Sequence, residues 1–177
     1  MAPDFCQLLG NSRLGANNTV GYGSIIGADP QDVSFKPDTH SDVNIGDNNK
    51  IREYVTIHRS AAEGGSTTVG DSNFLMTGVH LAHDVQMGSH NALANNVLIA
   101  GHVKLADHVF LGGGSAFHQF IHIGKHAMIS GGSLVRKDVP PFVKAAKDRG
   151  YDVITLDGPL VPHWISKVEQ EVEKVFS

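Results

Sequence analysis

Histidine stands out among the reactive groups of this 177-residue sequence, which contains 11 histidines and a single cysteine, Cys6. Four of the histidines lie in the segment VHLAHDVQMGSHNALANNVLIAGHV, Val79 to Val103. A neutral imidazole can take a proton from a hydroxyl group, and a carboxylate beside it can fix its tautomer or stabilise the imidazolium. His83, which is followed by Asp84, is therefore the best candidate for a general base.

A six-residue repeat predicts the element that positions these histidines. Large apolar residues recur at twelve successive positions without interruption, and each is usually followed four residues later by a small or branched one. Neither a helix nor an alternating strand has this period, which is typical of a parallel β-helix. With three repeats to a coil, residues i and i+18 stack about 4.8 Å apart. The positions are Val69, Leu75, Leu81, Met87, Leu93, Ile99, Leu105, Leu111, Phe117, Ile123, Ile129 and Val135.

The same period predicts the limits of the β-helix. It occurs earlier at Leu14, Val20 and Ile26, and resumes at Ile45 after one extra residue, which indicates a loop at about residues 32–44. It stops after Val139-Pro140-Pro141, because proline cannot donate to a strand ladder. We therefore expect an all-β protein with a β-helix domain over residues 1–143. The C-terminal extension, residues 144–177, carries apolar residues at helical spacing and is expected to form a short helix.

Sorted by this period, the eight histidines from His80 to His126 all occupy outward positions. His83 stacks on Gly101 and then on Gln119, and Asp84 stacks on His102. Alanine and glycine between them leave a groove of about 10 Å, which suits an extended substrate. The Gly101 amide could face a developing oxyanion. Because no serine or cysteine nucleophile with a partner is evident, direct transfer is favoured. The groove edge comprises His80, His83, His102, His118 and Gln119.

A second column of histidines, His90, His108 and His126, follows the same i to i+18 register but lies on a different side. Stacked imidazoles could bind a transition metal or respond to pH. Such columns are most often solvated turn residues, and we predict no metal and no cofactor.

The composition sets the broad class of the protein. With 41% hydrophobic and 18% charged residues the chain is typical of a globular protein. No apolar segment of about 18 residues and no leader sequence is evident, so a cytoplasmic protein that does not insert into membranes is expected. The net charge of −4, without a basic stripe, argues against nucleic acid as a partner.

Six motifs occur in order along the chain: QD at Gln31, IGDNNKIREYVTIHR from Ile45, HLAHD from His80, IAGHV from Ile99, AFHQF from Ala116 and DVPPFV from Asp138. They resemble those of the UDP-N-acetylglucosamine O-acyltransferases, which catalyse the first step of lipid A synthesis. The likeness covers about residues 11–143. It implies a left-handed β-helix, a homotrimer with active sites between adjacent subunits, and transfer of a 3-hydroxyacyl group from acyl carrier protein to the 3-hydroxyl of UDP-N-acetylglucosamine.

The resemblance also implies roles for individual residues. His83 matches the general base, Asp84 its partner, and Gly101 the glycine whose amide faces the thioester oxygen. The positions matching substrate contacts are His80, His102, His118, Gln119, His58 of the IHR motif, and Asp32, which meets the sugar. Met76 and Gly131 fall where the family sets acyl length, and glycine at the latter position implies room for a longer chain.

The sequence departs from the family in the parts that would bind the acceptor and the donor. Relative to the family, the chain begins several coils late and its C-terminal helical domain is a stub. Ser34 stands where members usually have lysine, although Lys36 could substitute from a shifted position, and Lys147 and Asp148 replace a glycine-asparagine step. An O- or N-acyltransferase acting on another nucleotide-linked amino sugar, with acyl carrier protein or coenzyme A as donor, remains an alternative.

The hexapeptide-repeat carbonic anhydrases share the predicted architecture but need three converging histidines. Two coils after His83 and His80 the register meets Gln119 and Ala116, so this ligand set fails. The non-enzymatic alternative is a catalytically inactive trimeric binding scaffold.

Overall fold

The computed structural model describes residues 5–141, 143–145 and 153–155, which form a parallel β-helix of 21 short strands. The strands are β1 (Gln7–Leu8), β2 (Asn11–Leu14), β3 (Thr19–Val20), β4 (Ile25–Ala28), β5 (Asp42–Ile45), β6 (Lys50–Ile51), β7 (Thr56–His58), β8 (Ser66–Val69), β9 (Phe74–Leu75), β10 (His80–Leu81), β11 (Gln86–Met87), β12 (Ala92–Leu93), β13 (Leu98–Ile99), β14 (Lys104–Leu105), β15 (Phe110–Leu111), β16 (Ala116–Phe117), β17 (His122–Ile123), β18 (Met128–Ile129), β19 (Leu134–Val135), β20 (Val143–Ala145) and β21 (Val153–Thr155).

Successive strands pass in turn to three sheets, so that each coil contributes one strand to each face of a prism. Sheet A contains β1, β4, β7, β10, β13, β16 and β19. Sheet B contains β2, β5, β8, β11, β14 and β17, and sheet C contains β3, β6, β9, β12, β15, β18, β20 and β21. All pairs are parallel except β20 with β21, which extend sheet C beyond the two prolines. The predicted C-terminal helix lies outside the described residues.

The register of the ladders confirms the predicted stacking over most of the prism. Thr68 pairs with Gln86, and Gln86 pairs with Lys104, which is the i to i+18 register of the repeat. The first coil keeps this register, since Gln7 pairs with Ile25. The second and third coils are longer, since Ile25 pairs with Thr56 and Thr56 pairs with His80. The additional residues form two loops, residues 29–41 between β4 and β5 and residues 59–65 between β7 and β8. Both leave the prism at the corner between sheets A and B.

The repeat places two inward side chains per hexad in the core, as predicted. The large members, such as Leu81 and Ile99, and the smaller ones, such as Val85 and Val103, are 0% exposed. Because these side chains are fully buried and closely packed, any loss of volume in the core is costly. The same cost opposes a shift of one strand against its neighbours and so holds the strands in one register. Among the described residues, no helix is long and apolar enough to cross a membrane.

A ladder of four asparagines, three of them buried, lines the corner between sheets B and C and is not visible in the apolar repeat. The side-chain oxygens of Asn18, Asn49 and Asn73 accept the backbone N–H groups of Asn49, Asn73 and Asn91 at 2.7, 2.8 and 2.9 Å. Asn91 repeats the contact with Val109 N at 2.7 Å. Each side chain thus satisfies an N–H that the turn directs into the prism.

Replacing Asn73 with alanine should lower the free energy of unfolding by about 2 kcal/mol, because the buried N–H of Asn91 would lose its acceptor. The carbonyl of Gly88 would also lose the side-chain donor that lies 3.0 Å away. Denaturant unfolding of Asn73→Ala beside Asn95→Ala, an exposed turn asparagine, measures the difference. Equal losses in the two variants would contradict the role of the ladder.

Candidate active site

The groove-edge residues lie at the corner between sheets A and B, where β10, β13 and β16 each end. Asp84, His102 and Phe120 stack in one column and share a left-handed backbone conformation, with φ of 60°, 60° and 67°. This geometry produces the sharp turn at the corner and places the residue before each of them, such as His83, on the cleft side. The predicted column is therefore present in the structure.

His83 and Asp84 form a close, largely buried pair. The Nδ1 atom of His83 lies 2.8 Å from Asp84 Oδ2, and the two side chains are 13% and 14% exposed. With a carboxylate as acceptor, Nδ1 carries the proton, which leaves Nε2 as the proton-accepting atom of a neutral ring. This is the arrangement that a general base requires.

The Asp84 carboxylate is held from several directions. Ser60 Oγ donates to Oδ1, Ala61 N donates to Oδ2 at 3.1 Å, and His102 Nε2 lies 3.8 Å from Oδ2. Burial works against ionisation, but the hydrogen bonds from Ser60, His83 and Ala61 outweigh it and hold the pKa of Asp84 below its ordinary value. The carboxylate is therefore ionised at neutral pH and can stabilise an imidazolium.

Gly101 stacks directly against the ring of His83. A Cβ atom at this position would lie 2.7 Å from His83 Cε1 and 2.8 Å from Nε2, so only glycine fits under the ring. Among the described residues, the Gly101 N–H has no hydrogen-bond acceptor, unlike the neighbouring His102 N–H, which bonds to His83 O at 3.1 Å. An N–H beside the base is thus available to a ligand.

Two further histidines lie beside this pair in an uncharged state. His58 Nδ1 donates to Asp29 O at 2.6 Å, and His80 Nδ1 lies 2.7 Å from Thr56 Oγ1. Their rings meet edge to face, with centroids 5.1 Å apart. Burial lowers the pKa of His58, and burial followed by the fields of His58 and His83 lowers the pKa of His80 to about 4.

His80 should make the folded protein less stable in acid. The unfolded chain binds a proton at His80 as the pH falls through 6.5, whereas the folded protein does so only near pH 4. The contribution of neutral His80 is therefore complete above pH 6.5 and is lost as the pH falls from 6.5 to about 4. In denaturant unfolding, His80→Gln should lose less stability between pH 7.5 and 4.5 than the wild type. An unchanged slope in His80→Gln, beside exposed His90→Gln as control, would contradict this.

The histidines line a cleft of about 400 Å³ along the outer face of sheet A. Ala116 in β16, and Ala82 and Ala100 directly after β10 and β13, leave the cleft open. Leu98, which is 48% exposed, forms an apolar part of its floor. The lining residues are Gln31, His58, His80, Ala82, His83, Leu98, Ile99, Ala100, Gly101, Ala116, Phe117 and Gln119.

The loop of residues 29–41 contributes Gln31 to the lining of this cleft, and Asp32 is the next residue of the loop. Asp32 Oδ1 accepts hydrogen bonds from Ser34 N and Ser34 Oγ, both at 2.8 Å. The hydrogen bond from Ser34 N, followed by the one from Ser34 Oγ, lowers the pKa of Asp32, and electrostatic interaction with His83 and His102 adds to the effect. Asp32 is therefore an anionic hydrogen-bond acceptor on the same side of the prism as His83 and Asp84.

Metal ligation fits this arrangement less well than proton transfer does. Within the described part of the chain, one cluster of three potential metal ligands has all its ligand atoms within 4.8 Å of one another, namely His83, Asp84 and His102. Both oxygens of Asp84 already accept hydrogen bonds. In the second column, the rings of His90 and His108 stack at 4.9 Å and 7°, so their in-plane nitrogen lone pairs do not converge on one point.

Comparisons with known proteins agree with the motifs. A UDP-N-acetylglucosamine acyltransferase from Bacteroides fragilis of known structure is 36% identical, with a TM-score of 0.84 over 99% of this chain and 68% of its own. The Campylobacter jejuni enzyme is 32% identical, with a TM-score of 0.75 over 99% of this chain and 77% of its own. The chain belongs to the UDP-N-acetylglucosamine O-acyltransferase family. The resemblance and the left-handed β-helix predicted with it are confirmed.

The curated relatives are longer than this chain. An acyl-[acyl-carrier-protein]–UDP-N-acetylglucosamine O-acyltransferase from Halorhodospira halophila is 40% identical over 161 residues, which are 90% of this chain and 58% of that protein. Across such curated members of the family, the matched part of the chain spans 27–58% of their length. No family model matches the chain.

Not all positions that match the family's substrate contacts meet in the cleft of this chain. His118 is exposed at the edge of the cleft, with Nδ1 3.2 Å from Gln119 O. Met76 follows β9 and Gly131 follows β18, so both lie at the corner between sheets C and A. The width of sheet A separates that corner from His83. Within the chain these two residues therefore do not join the cleft.

The sequence analysis missed Ser60 and the amide of Ala61, which hold Asp84. Both belong to the loop of residues 59–65, which adds one hexad to its coil. The apolar repeat stays in phase across this loop, because Ile57 and Val69 are separated by two full hexads. The sequence indicated this loop only through Glu63, which lies midway between Ile57 and Val69, at a position where the repeat predicts an inward apolar residue.

Proposed function

We propose that this protein transfers a 3-hydroxyacyl group from acyl carrier protein to the 3-hydroxyl of UDP-N-acetylglucosamine, without a covalent enzyme intermediate. The observation that carries the proposal is the His83–Asp84 pair packed against Gly101 in an open cleft, in a chain of this family. The pair supplies a base, and the N–H of Gly101 supplies an oxyanion donor beside it.

His83 is the general base of the proposed reaction. Its Nε2 takes the proton of the sugar hydroxyl while that oxygen attacks the thioester carbonyl, and Nδ1–H stays bonded to Asp84, which stabilises the imidazolium. The Gly101 N–H donates to the oxyanion of the tetrahedral intermediate. When the intermediate collapses, the C–S bond breaks and the imidazolium returns its proton to the departing thiolate. The products are an O-acyl sugar and a free thiol.

The remaining groove residues bind substrate in this proposal. Asp32 is ionised and accepts hydrogen bonds from sugar hydroxyls, whereas His58 and His80 are neutral and can bond to the sugar without adding charge. His102, His118 and Gln119 extend the edge along which the donor lies. The exposed side chain of Leu98 gives the cleft an apolar section suited to an acyl chain.

A homotrimer completes the site. Met76 and Gly131 lie one sheet away from His83 on the same protomer, so a neighbouring subunit has to present that corner to the cleft if they set acyl length. We therefore place the active sites between adjacent subunits. The cytoplasmic location expected from the sequence is also part of the proposal. Light scattering of the purified chain tests the trimer, and a mass of 18.9 kDa for the particle would contradict it.

The activity is tested by incubating the purified chain with 3-hydroxyacyl thioesters of acyl carrier protein and of coenzyme A. Acceptors are UDP-N-acetylglucosamine and other UDP- and dTDP-linked amino sugars. The expected product is the 3-O-acyl ester formed from the carrier-protein thioester. Turnover only at an amino group of the acceptor, or only with the coenzyme A thioester, would contradict the proposed acceptor or donor. No turnover with any pair would favour a binding scaffold.

A further inference from the structure

The loop of residues 59–65, which lengthens one coil, returns directly to the carboxylate of Asp84. Ser60 in this loop is 0% exposed. Its Oγ donates to Asp84 Oδ1 and accepts the N–H of Ala62 at 3.0 Å, so both capacities of the hydroxyl are used. In β8, which follows the loop, Thr67 Oγ1 accepts the backbone N–H of Asp84 at 2.8 Å. The loop and the strand after it thus hold Asp84 by side chain and backbone together.

The position of the Ser60 hydroxyl is fixed by the loop itself. A Cβ atom on Gly65 would lie 2.2 Å from Ser60 Oγ and 3.0 Å from Ala62 O. Only glycine therefore allows the loop to close over the hydroxyl. A buried hydroxyl enclosed in this way has one orientation, which makes it an effective positioning group for the carboxylate it contacts.

Ser60 also connects the His83–Asp84 pair with the loop that carries Asp32. Ser41 Oγ donates to Ser60 O at 2.6 Å, and Arg59 Nη1 donates to Ser41 Oγ at 3.0 Å. Arg59 Nε donates to Asp29 Oδ1 at 2.9 Å, and its guanidinium lies 4.8 Å from the centroid of the Phe35 ring. The two loops and the His83–Asp84 pair therefore form one continuous network of contacts.

We propose that Ser60 is a positioning residue for acyl transfer: it orients Asp84 so that the carboxylate holds His83 as the Nδ1–H tautomer, with Nε2 free to accept the proton of the acceptor hydroxyl. This inference rests on the proposed function for its kinetic consequence. Its structural part, the control of the His83 tautomer by a serine of the preceding coil, is measurable without any substrate.

The first test is the ¹⁵N spectrum of the His83 imidazole in the full chain, which distinguishes the Nδ1–H from the Nε2–H tautomer. The wild type should show the Nδ1–H form at neutral pH, whereas Ser60→Ala should populate the Nε2–H form. Ser24→Ala is the matched control, because Ser24 is equally buried, donates to Arg52 O at 2.6 Å and accepts from Val55 N at 3.0 Å. A tautomer unchanged in Ser60→Ala would overturn the proposal.

The second test is kinetic. Ser60→Ala should lower kcat about tenfold with little change in KM, as expected for losing a hydrogen bond to a charged group that acts in the chemical step. In an Asp84→Ala background the same substitution should have no further effect on kcat, because Ser60 acts through Asp84. A full tenfold loss in that background, or an equal loss in Ser24→Ala, would overturn the positioning role.

The two tests separate the inference from the proposed function. Wild-type protein without turnover would refute the proposed function, and the tautomer spectra would then decide the positioning role alone. Turnover together with an unchanged tautomer and an unchanged kcat in Ser60→Ala would refute the inference and leave the proposed function standing.

Discussion

Replacing His83 with alanine is expected to lower kcat for acyl transfer by a factor of about 10² to 10⁴, the usual range for loss of a general base. The acceptor hydroxyl would then lose its proton to water rather than to Nε2. Because His83 lies outside the apolar core of the prism, the variant should fold and should keep most of its affinity for the acceptor. Initial rates at saturating donor and acceptor measure the loss.

The matched control for this variant is His90→Ala, which removes an exposed histidine from another corner of the prism. It should retain wild-type kcat. Turnover unaffected by His83→Ala would refute the proposed mechanism, provided that the variant elutes and unfolds like the wild type. A similar loss in His90→Ala would show that the effect is not specific to the cleft.

Gly101→Ala is expected to lower kcat by about 10², although alanine adds a single methyl group. That methyl would lie 2.7 Å from His83 Cε1, so the imidazole has to move away from its place beside the cleft. Displacement of a catalytic group by about 1 Å costs a factor of this size. The Gly101 N–H stays in the chain, so the loss reports on the position of the base.

Gly88→Ala is the control for this substitution, because a Cβ atom there would also overlap a side chain, Asp107 Oδ1 at 2.3 Å, but at the corner between sheets B and C, away from the cleft. Its kcat should be unchanged. The double variant His83→Ala with Gly101→Ala should be no slower than His83→Ala alone, because the added methyl acts on a ring that is already absent. Additive losses would indicate that Gly101→Ala damages the cleft by another route.

The position of the site on the prism has a physical basis. Both long loops leave the β-helix at the corner between sheets A and B, the same corner at which His83, Gly101 and Gln119 stack in the coils that follow. A regular coil offers only short turns, which cannot surround a substrate. Loops inserted in the preceding coils supply the groups that the turns lack, namely Asp32 and the Ser60 hydroxyl, and they do so without disturbing the packing of the core.

Several features of this protein were determined by its sequence alone. The apolar residues at every sixth position have only one compact solution, because each inward side chain must meet its equivalents in the coils on either side. That constraint set the i to i+18 register from Val69 onward and stacked His83 on Gly101. The stacking of His83 on Gly101, with Asp84 beside it, could therefore be predicted from the repeat. The motifs around them indicated the family, and through it the left-handed coil.

The tertiary structure decided what lies outside that regular register. The second and third coils are longer than the others, so the contact between His58 and His80 could not be obtained by counting. The path of residues 59–65 is set by hydrogen bonds within the loop, not by the apolar repeat, and only the structure shows that it places Ser60 on Asp84. Buried apolar positions recur with a fixed period and can be read from a sequence, whereas a polar contact depends on the direction in which one loop returns.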